Sequence, residues 1–139
     1  MEESKFSELQ RAPYLELKNY KAPKGINSYF LPMDDGINIR VCFWVNKNNN
    51  LKGTILLQQG HNEFIEKYYE TIEEFIERDY SVIAFDWRGQ GMSDRQIKDE
   101  HKAYINDFDR HDKDLKYILN EVIKDNFPKP LIGIGHSMG

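Results

Sequence analysis

The chain has 139 residues, 40% hydrophobic and 30% charged, a composition that fits a globular domain with one core and excludes a disordered or fibrous chain. A net charge of −4 gives no electrostatic basis for a nucleic-acid partner. No stretch has the apolar length of a membrane span, and Met1-Glu2-Glu3-Ser4-Lys5 lacks the basic start and apolar core of a signal peptide. A cytoplasmic location is the expectation, with transient contact at a lipid surface left open.

Residues 1–25 read as a polar, irregular lead-in, and 26–139 as part of a single domain. Ser28 to Met33 and Ile39 to Val45 read as two strands, and Asp34-Asp35-Gly36 between them supplies the turn of an antiparallel hairpin. Cys42 falls in the second strand. As the one cysteine it has no internal disulfide partner, and a buried structural thiol is expected. The asparagine-rich run 46–50 reads as a loop. Thr54-Ile55-Leu56-Leu57 is continuously apolar, as in a strand covered on both faces.

From Glu63 to Glu77 the residues Phe64, Ile65, Tyr68, Tyr69, Ile72, Phe75 and Ile76 recur at helical spacing, with Glu66, Lys67, Glu70, Glu73 and Glu74 between them on a polar face. Ser81 to Phe85 is the next buried strand, followed by a glycine-rich loop and a polar segment. A second helix is predicted from near Asp107 to Asp125, with Leu115, Ile118, Leu119, Val122 and Ile123 along one face, ended by Asn126 and Pro128. Leu131-Ile132-Gly133-Ile134 then reads as a buried strand. The order strand, strand, strand, helix, strand, helix, strand predicts an α/β fold, a mostly parallel sheet with an antiparallel hairpin at its start.

Gly135-His136-Ser137-Met138-Gly139 fits G-x-S-x-G, which presents a nucleophilic serine on a sharp turn after a strand. The serine backbone must sit at φ > 0, where flanking side chains would collide, so glycines at 135 and 139 are what the turn requires. Between the fourth strand and the polar segment stands Asp86-Trp87-Arg88-Gly89-Gln90-Gly91-Met92-Ser93. Gly89 and Gly91 permit a tight loop, and Asp86 and Arg88 would hold it by charge-assisted bonds in a structural role. Among the histidines, His136 points away from the turn, His61 lies after the third strand, and His101 lies in the polar segment. Asp107 and His111 are spaced as a solvated helical pair. No His, Cys and carboxylate cluster has the spacing of a metal site.

Gln59-Gly60 with Glu63-Phe64-Ile65-Glu66-Lys67-Tyr68, then Asp86 to Arg95, then Gly135 to Gly139, resembles the bacterial lysophospholipase and monoacylglycerol lipase group of the α/β hydrolase superfamily. The resemblance spans residues 28–139 and departs from many members at Gln59, where they have histidine. It implies the N-terminal half of an α/β hydrolase fold ending at the nucleophile elbow, with Ser137 as nucleophile. It also implies an oxyanion hole made by the backbone N–H groups of His61 and Met138, with Gly60 allowing close approach. A lipid or small ester would be the substrate, and no metal or organic cofactor is implied. The acid and histidine of such a triad follow the serine. The sequence ends at Gly139, so the expectation is the front part of an enzyme, inactive without the other half of its domain. A peptidase or small-ester esterase of the same fold, and a non-catalytic truncated fragment, remain as alternatives.

Overall fold

The structure is a computed structural model and describes residues 6–95 and 109–139. Five strands form one mixed sheet: β1 (Asn27–Pro32), β2 (Asn38–Trp44), β3 (Gly53–Gln58), β4 (Tyr80–Phe85) and β5 (Leu131–Gly135), in the spatial order β1-β2-β4-β3-β5. β1 pairs antiparallel with β2, and β2 with β4, while β3 runs parallel to both β4 and β5. The expected α/β architecture with its antiparallel N-terminal hairpin is present. Met33 and Gly36 close the hairpin turn through main-chain hydrogen bonds of 2.8 and 3.0 Å, with Gly36 at φ 85°.

Side chains alternate across a strand, and that period of two divides the core into two layers. Val41, Phe43, Leu56, Ile83 and Phe85 face Ile118, Val122, Ile123 and Phe127. Cys42, Trp44, Leu57, Val82 and Ala84 face Ile65, Tyr69 and Ile72 on the other side. Helix α1 (Tyr69–Glu77), between β3 and β4, therefore covers one face, and α2 (Asp109–Ile118), between β4 and β5, covers the other. Cys42 is fully buried, donates to Ser28 Oγ at 3.3 Å, and burial pushes its thiol up to about 12, which suits an inert core position.

The first predicted helix is two pieces, a 3-10 turn at Ile65–Tyr68 followed by α1. Glu66, expected on the polar face, lies in that tighter turn and is 6% exposed. The second helix continues beyond α2 as a π turn, Leu119–Ile123, and Asp125 at φ 63° ends it. Asp107 and His101 lie outside the described residues. His111 corrects the expectation of a solvated pair: it is buried against the Trp87 indole, ring centroids 4.9 Å apart, and burial lowers its pKa. β5 corrects another. It forms where expected but is largely exposed, Ile134 alone being half-buried against the α1 layer; it pairs with β3 on one side and with no described strand on the other.

Residues 6–25 contain no helix or extended strand, yet they are packed on the domain. Phe6 and Ala12 are buried, Phe6 against Phe43 at a centroid separation of 4.9 Å. Trp44 Nε1 donates to the Pro23 carbonyl at 3.0 Å, which fixes the far end of this segment.

Candidate active site

β5 delivers Gly135-His136-Ser137 to the end of the sheet where β3 also finishes. There the His136 N–H donates to the Gln58 carbonyl at 3.0 Å, and the Gly139 N–H returns to the His136 carbonyl at 3.1 Å. Ser137 sits in the left-handed region at φ 59°, a conformation held by its surroundings at about 1–3 kcal/mol. The flanking glycines are required by backbone contacts. A Cβ on Gly135 would enter the Gly139 carbonyl, and one on Gly139 would enter the carbonyl of Gln58. Ser137 is exposed, while Met138 is half-buried against the α2 layer.

The loop after β3 lies against this turn. A Cβ added to Gly60 would stand 3.1 Å from Ser137 Cβ and 3.0 Å from the His136 carbonyl oxygen. Absence of a side chain at 60 is what lets loop and elbow touch. The Gly60 N–H is committed, donating to Glu63 Oε1 at 2.7 Å. Among the described residues, no hydrogen bond uses the His61 or Met138 amide. The loop is held from behind: Trp87 Nε1 donates to the Gln59 carbonyl at 2.8 Å, and Gln90 Nε2 to the Gly60 carbonyl at 3.1 Å.

Glu63 is the hub between loop, elbow and helix. Its Oε1 accepts from Tyr68 Oη at 2.6 Å and lies 2.9 Å from His136 Nδ1, while Oε2 pairs with Lys67 at 3.0 Å. Burial pushes the Glu63 carboxyl up, but the bonds from Tyr68, His136, Lys67 and the Gly60 N–H outweigh it and hold the group at about 2. Tyr68 is raised in turn, by burial and by the Glu63 carboxylate. Helical periodicity gave Glu63 only as the start of the first helix; its local signal is an acid three residues after a loop glycine, placed to cap that glycine's N–H.

Behind the loop is a fully buried ionic cluster. Arg40 bonds Asp86 Oδ2 through Nε at 2.8 Å and Glu66 through both terminal nitrogens at 2.7 and 2.6 Å. Gln59 Nε2 and the Ile65 N–H donate to Asp86 Oδ1, each at 3.0 Å, and the Met92 N–H donates to Oδ2 at 2.9 Å. Burial pushes the Asp86 carboxyl up, opposed by the Arg40 charge. Burial would lower Arg40, but its bonds to Glu66 and the charge of Asp86 raise it. A Cβ on Gly91, at φ 52°, would enter the Asp86 carboxylate, and Gly89 turns at φ 80°. Arg88 grips Asp114 on α2 at 2.7 and 3.0 Å and Asp35 of the hairpin turn at 2.8 and 3.1 Å. Arg40 was the missed residue here. A charge inside Ile39-Arg40-Val41-Cys42 must be paired, which is the signal that could have found it.

A cavity of about 230 Å³ opens beside the elbow, lined by Gln58, Trp87, His111, Leu115, Met138 and Gly139 among others. Among the described residues, no group of three or more His, Cys, Asp or Glu is arranged to hold a metal ion.

A mixed sheet entered through an antiparallel hairpin, with a serine at positive φ where β5 ends, fits an α/β hydrolase. The serine aminopeptidase S33 family (Hydrolase_4) matches residues 49–139, and the chain belongs to it. The chain is similar to lysophospholipase L2 of Escherichia coli strain K12, 27% identical over 85 residues, which is 61% of this chain and 25% of that protein. It thus spans about a quarter of the length of the curated relatives it matches. Among solved structures, a soluble variant of the Saccharomyces cerevisiae monoglyceride lipase superposes with TM-score 0.59 at 23% identity, over 91% of this chain and 38% of that one. The Cif epoxide hydrolase of Acinetobacter nosocomialis gives TM-score 0.61 at 19% identity, over 85% and 32%. At such identities the structural likeness is one of fold.

Proposed function

We propose that this chain carries the nucleophile and oxyanion hole of a serine ester hydrolase acting on lysophospholipids or monoacylglycerols. The observation that supports it most is Ser137 at φ 59°, packed against a side-chain-free Gly60. In this reading Ser137 Oγ attacks the ester carbonyl, giving a tetrahedral intermediate whose oxygen accepts from the His61 and Met138 N–H groups. Collapse then expels the alcohol and leaves an acyl-serine that water hydrolyses. With the Gly60 N–H already bonded to Glu63, His61 is the next free donor in the loop.

The general base and its acid would come from the rest of the hydrolase domain. His136 is engaged by Glu63 and Tyr68, and His111 is buried on Trp87. Asp86, saturated by donors, acts as scaffold. Lipid esters are preferred as substrates because lysophospholipase L2 and the yeast lipase are among the similar proteins. The family's description favours a peptidase as the second reading.

In the complete hydrolase a fluorophosphonate should label one serine, and Ser137→Ala should abolish both labelling and turnover. His61→Ala should cost far less, since the main-chain amide survives truncation. Labelling retained in Ser137→Ala would remove Ser137 from the mechanism. Hydrolysis of aminoacyl anilides without hydrolysis of monoacylglycerol or lysophosphatidylcholine would replace the lipid reading with the peptidase one.

A further inference from the structure

Tyr14, Leu15 and Leu17 stand out from the lead-in at 39%, 62% and 69% exposure, and Phe64, at the entry to the 3-10 turn, is 44% exposed. Single surface leucines are ordinary; two at i, i+2 spacing next to exposed Tyr14 form a patch, and Phe64 is exposed on the segment to which Leu15 is hydrogen-bonded through Glu66. The backbone that presents them is fixed. The Leu15 N–H donates to Glu66 Oε2 at 3.0 Å, and Tyr69 Oη donates to the Leu15 carbonyl at 2.9 Å. Leu17 and Tyr20 exchange both main-chain hydrogen bonds, and Tyr20 Oη donates to the Glu66 carbonyl at 2.7 Å. Glu66, two residues from Phe64, thus ties the leucines and Phe64 to one anchor. The side chains are held out by structure and are not a slack tail.

Charge distinguishes this surface from the rest. Residues 10–25 hold Arg11, Lys18, Lys21 and Lys24 against Glu16, a net +3, in a chain of −4, so the remainder carries −7. All four cations are exposed. Glu16 is turned to the Ala22 N–H at 3.0 Å. Opposing charge comes from the adjoining helix: Glu70 is, after burial, the main influence raising the Tyr20 phenol, with Glu66 a smaller one, and Glu73 and Glu74 are exposed on α1.

We propose that residues 14–24 together with Phe64 form a docking surface for an anionic lipid bilayer. Leu15, Leu17 and Phe64 enter the headgroup boundary, and Lys18, Lys21 and Lys24 meet anionic headgroups. Shallow apolar insertion and basic attraction each bind weakly, and together they give a usable anchor. Phe64 lies three residues beyond His61, so docking brings the loop that faces Ser137 to the lipid. The inference concerns this surface alone and stands or falls separately from the role of Ser137.

The test is flotation of the full chain with vesicles of phosphatidylglycerol and phosphatidylcholine, against phosphatidylcholine alone. Flotation separates bound protein from aggregates, which sink. The chain should float with anionic vesicles, and raised salt should release it. Leu15→Ser/Leu17→Ser and Lys18→Glu/Lys21→Glu should each reduce flotation by roughly tenfold. Both pairs alter exposed side chains, so circular dichroism and the urea midpoint should match the parent. Folded protein that does not float with anionic vesicles, or floats equally after either pair of substitutions, overturns the proposal. So does a dimer that Leu15→Ser/Leu17→Ser dissociates without any vesicle binding, which would assign the patch to a second copy.

Discussion

Between β2 and β4 the chain buries Arg40, Asp86 and Glu66 at 0%, 0% and 6% exposure and satisfies them with one another. Along β5, Leu131 and Ile132 are 40% and 36% exposed and the backbone runs on into Ser137 at φ 59°. The first region is buried and closely bonded; the second carries the proposed nucleophile, Ser137, and is thinly packed. A strained turn at a sparse edge persists only if something stiff stands behind it. The connection is visible: Asp86 binds the Gln59 side chain and the Ile65 N–H, on either side of the loop that touches the elbow. Burial and strain are thus divided between two ends of one hydrogen-bonded system.

The sharpest way to break that division is Arg40→Met. It leaves the Asp86 and Glu66 carboxylates buried without their cation, and removing one member of such a cluster costs about 3–5 kcal/mol. Urea unfolding should show a loss of that order. An unchanged midpoint would mean that the cluster is not what stiffens the loop.

At the other end, Gly139→Ala forces a methyl into the Gln58 carbonyl, and the turn can relieve this only by opening. Stability should fall by about 1–3 kcal/mol, less than for Arg40→Met, whereas fluorophosphonate labelling of the complete hydrolase should fall at least as far as in that variant. If stability and labelling fell in the same proportion in both variants, the two ends would be one cooperative unit and the contrast between them would dissolve.

The same contrast separates what could be read from the residues from what could not. Short apolar runs bounded by turn residues located β1 to β4 to within a residue or so, since burial leaves a local imprint. Gly135 and Gly139 were legible because a turn with Ser137 at positive φ leaves no room for a Cβ on either side of it. Glu66 was not, because helical spacing places it on a solvent face and the 3-10 turn buries it; Glu63 was not, because its partners come from the loop before it and from the elbow. Nor could spacing reveal that Arg40 would meet an acid 26 residues away and another 46 away. His111 was misread because the Trp87 that covers it comes from another loop. β5 was misjudged since an apolar run is the same whether or not a neighbour covers it.

Glu63 spans both ends, and the smallest expected effect falls on it. Its carboxyl is held at about 2 in the folded chain, below the ordinary value of 4.5. A depressed folded value means the stabilisation is fully present above the unfolded pKa and is lost as pH falls through the window from about 4.5 to 2. The hydrogen bonds that hold it down come from Tyr68, His136, Lys67 and the Gly60 N–H, so protonation slackens loop and elbow at once. Lys67 and His136 are solvated, 59% and 65% exposed, so screening discounts their share of the effect. Glu63→Gln retains an acceptor for Gly60 and removes the titration. Asp34, Asp35 and Glu66 are lowered too, so acid weakens parent and variant alike. The difference between the two stability curves isolates Glu63: the parent should lead above pH 4.5 and the curves should converge toward pH 2. Parallel curves across that window would show that the carboxylate charge does not bind loop to elbow, leaving Gly60 positioned by Gln90 and Trp87 alone.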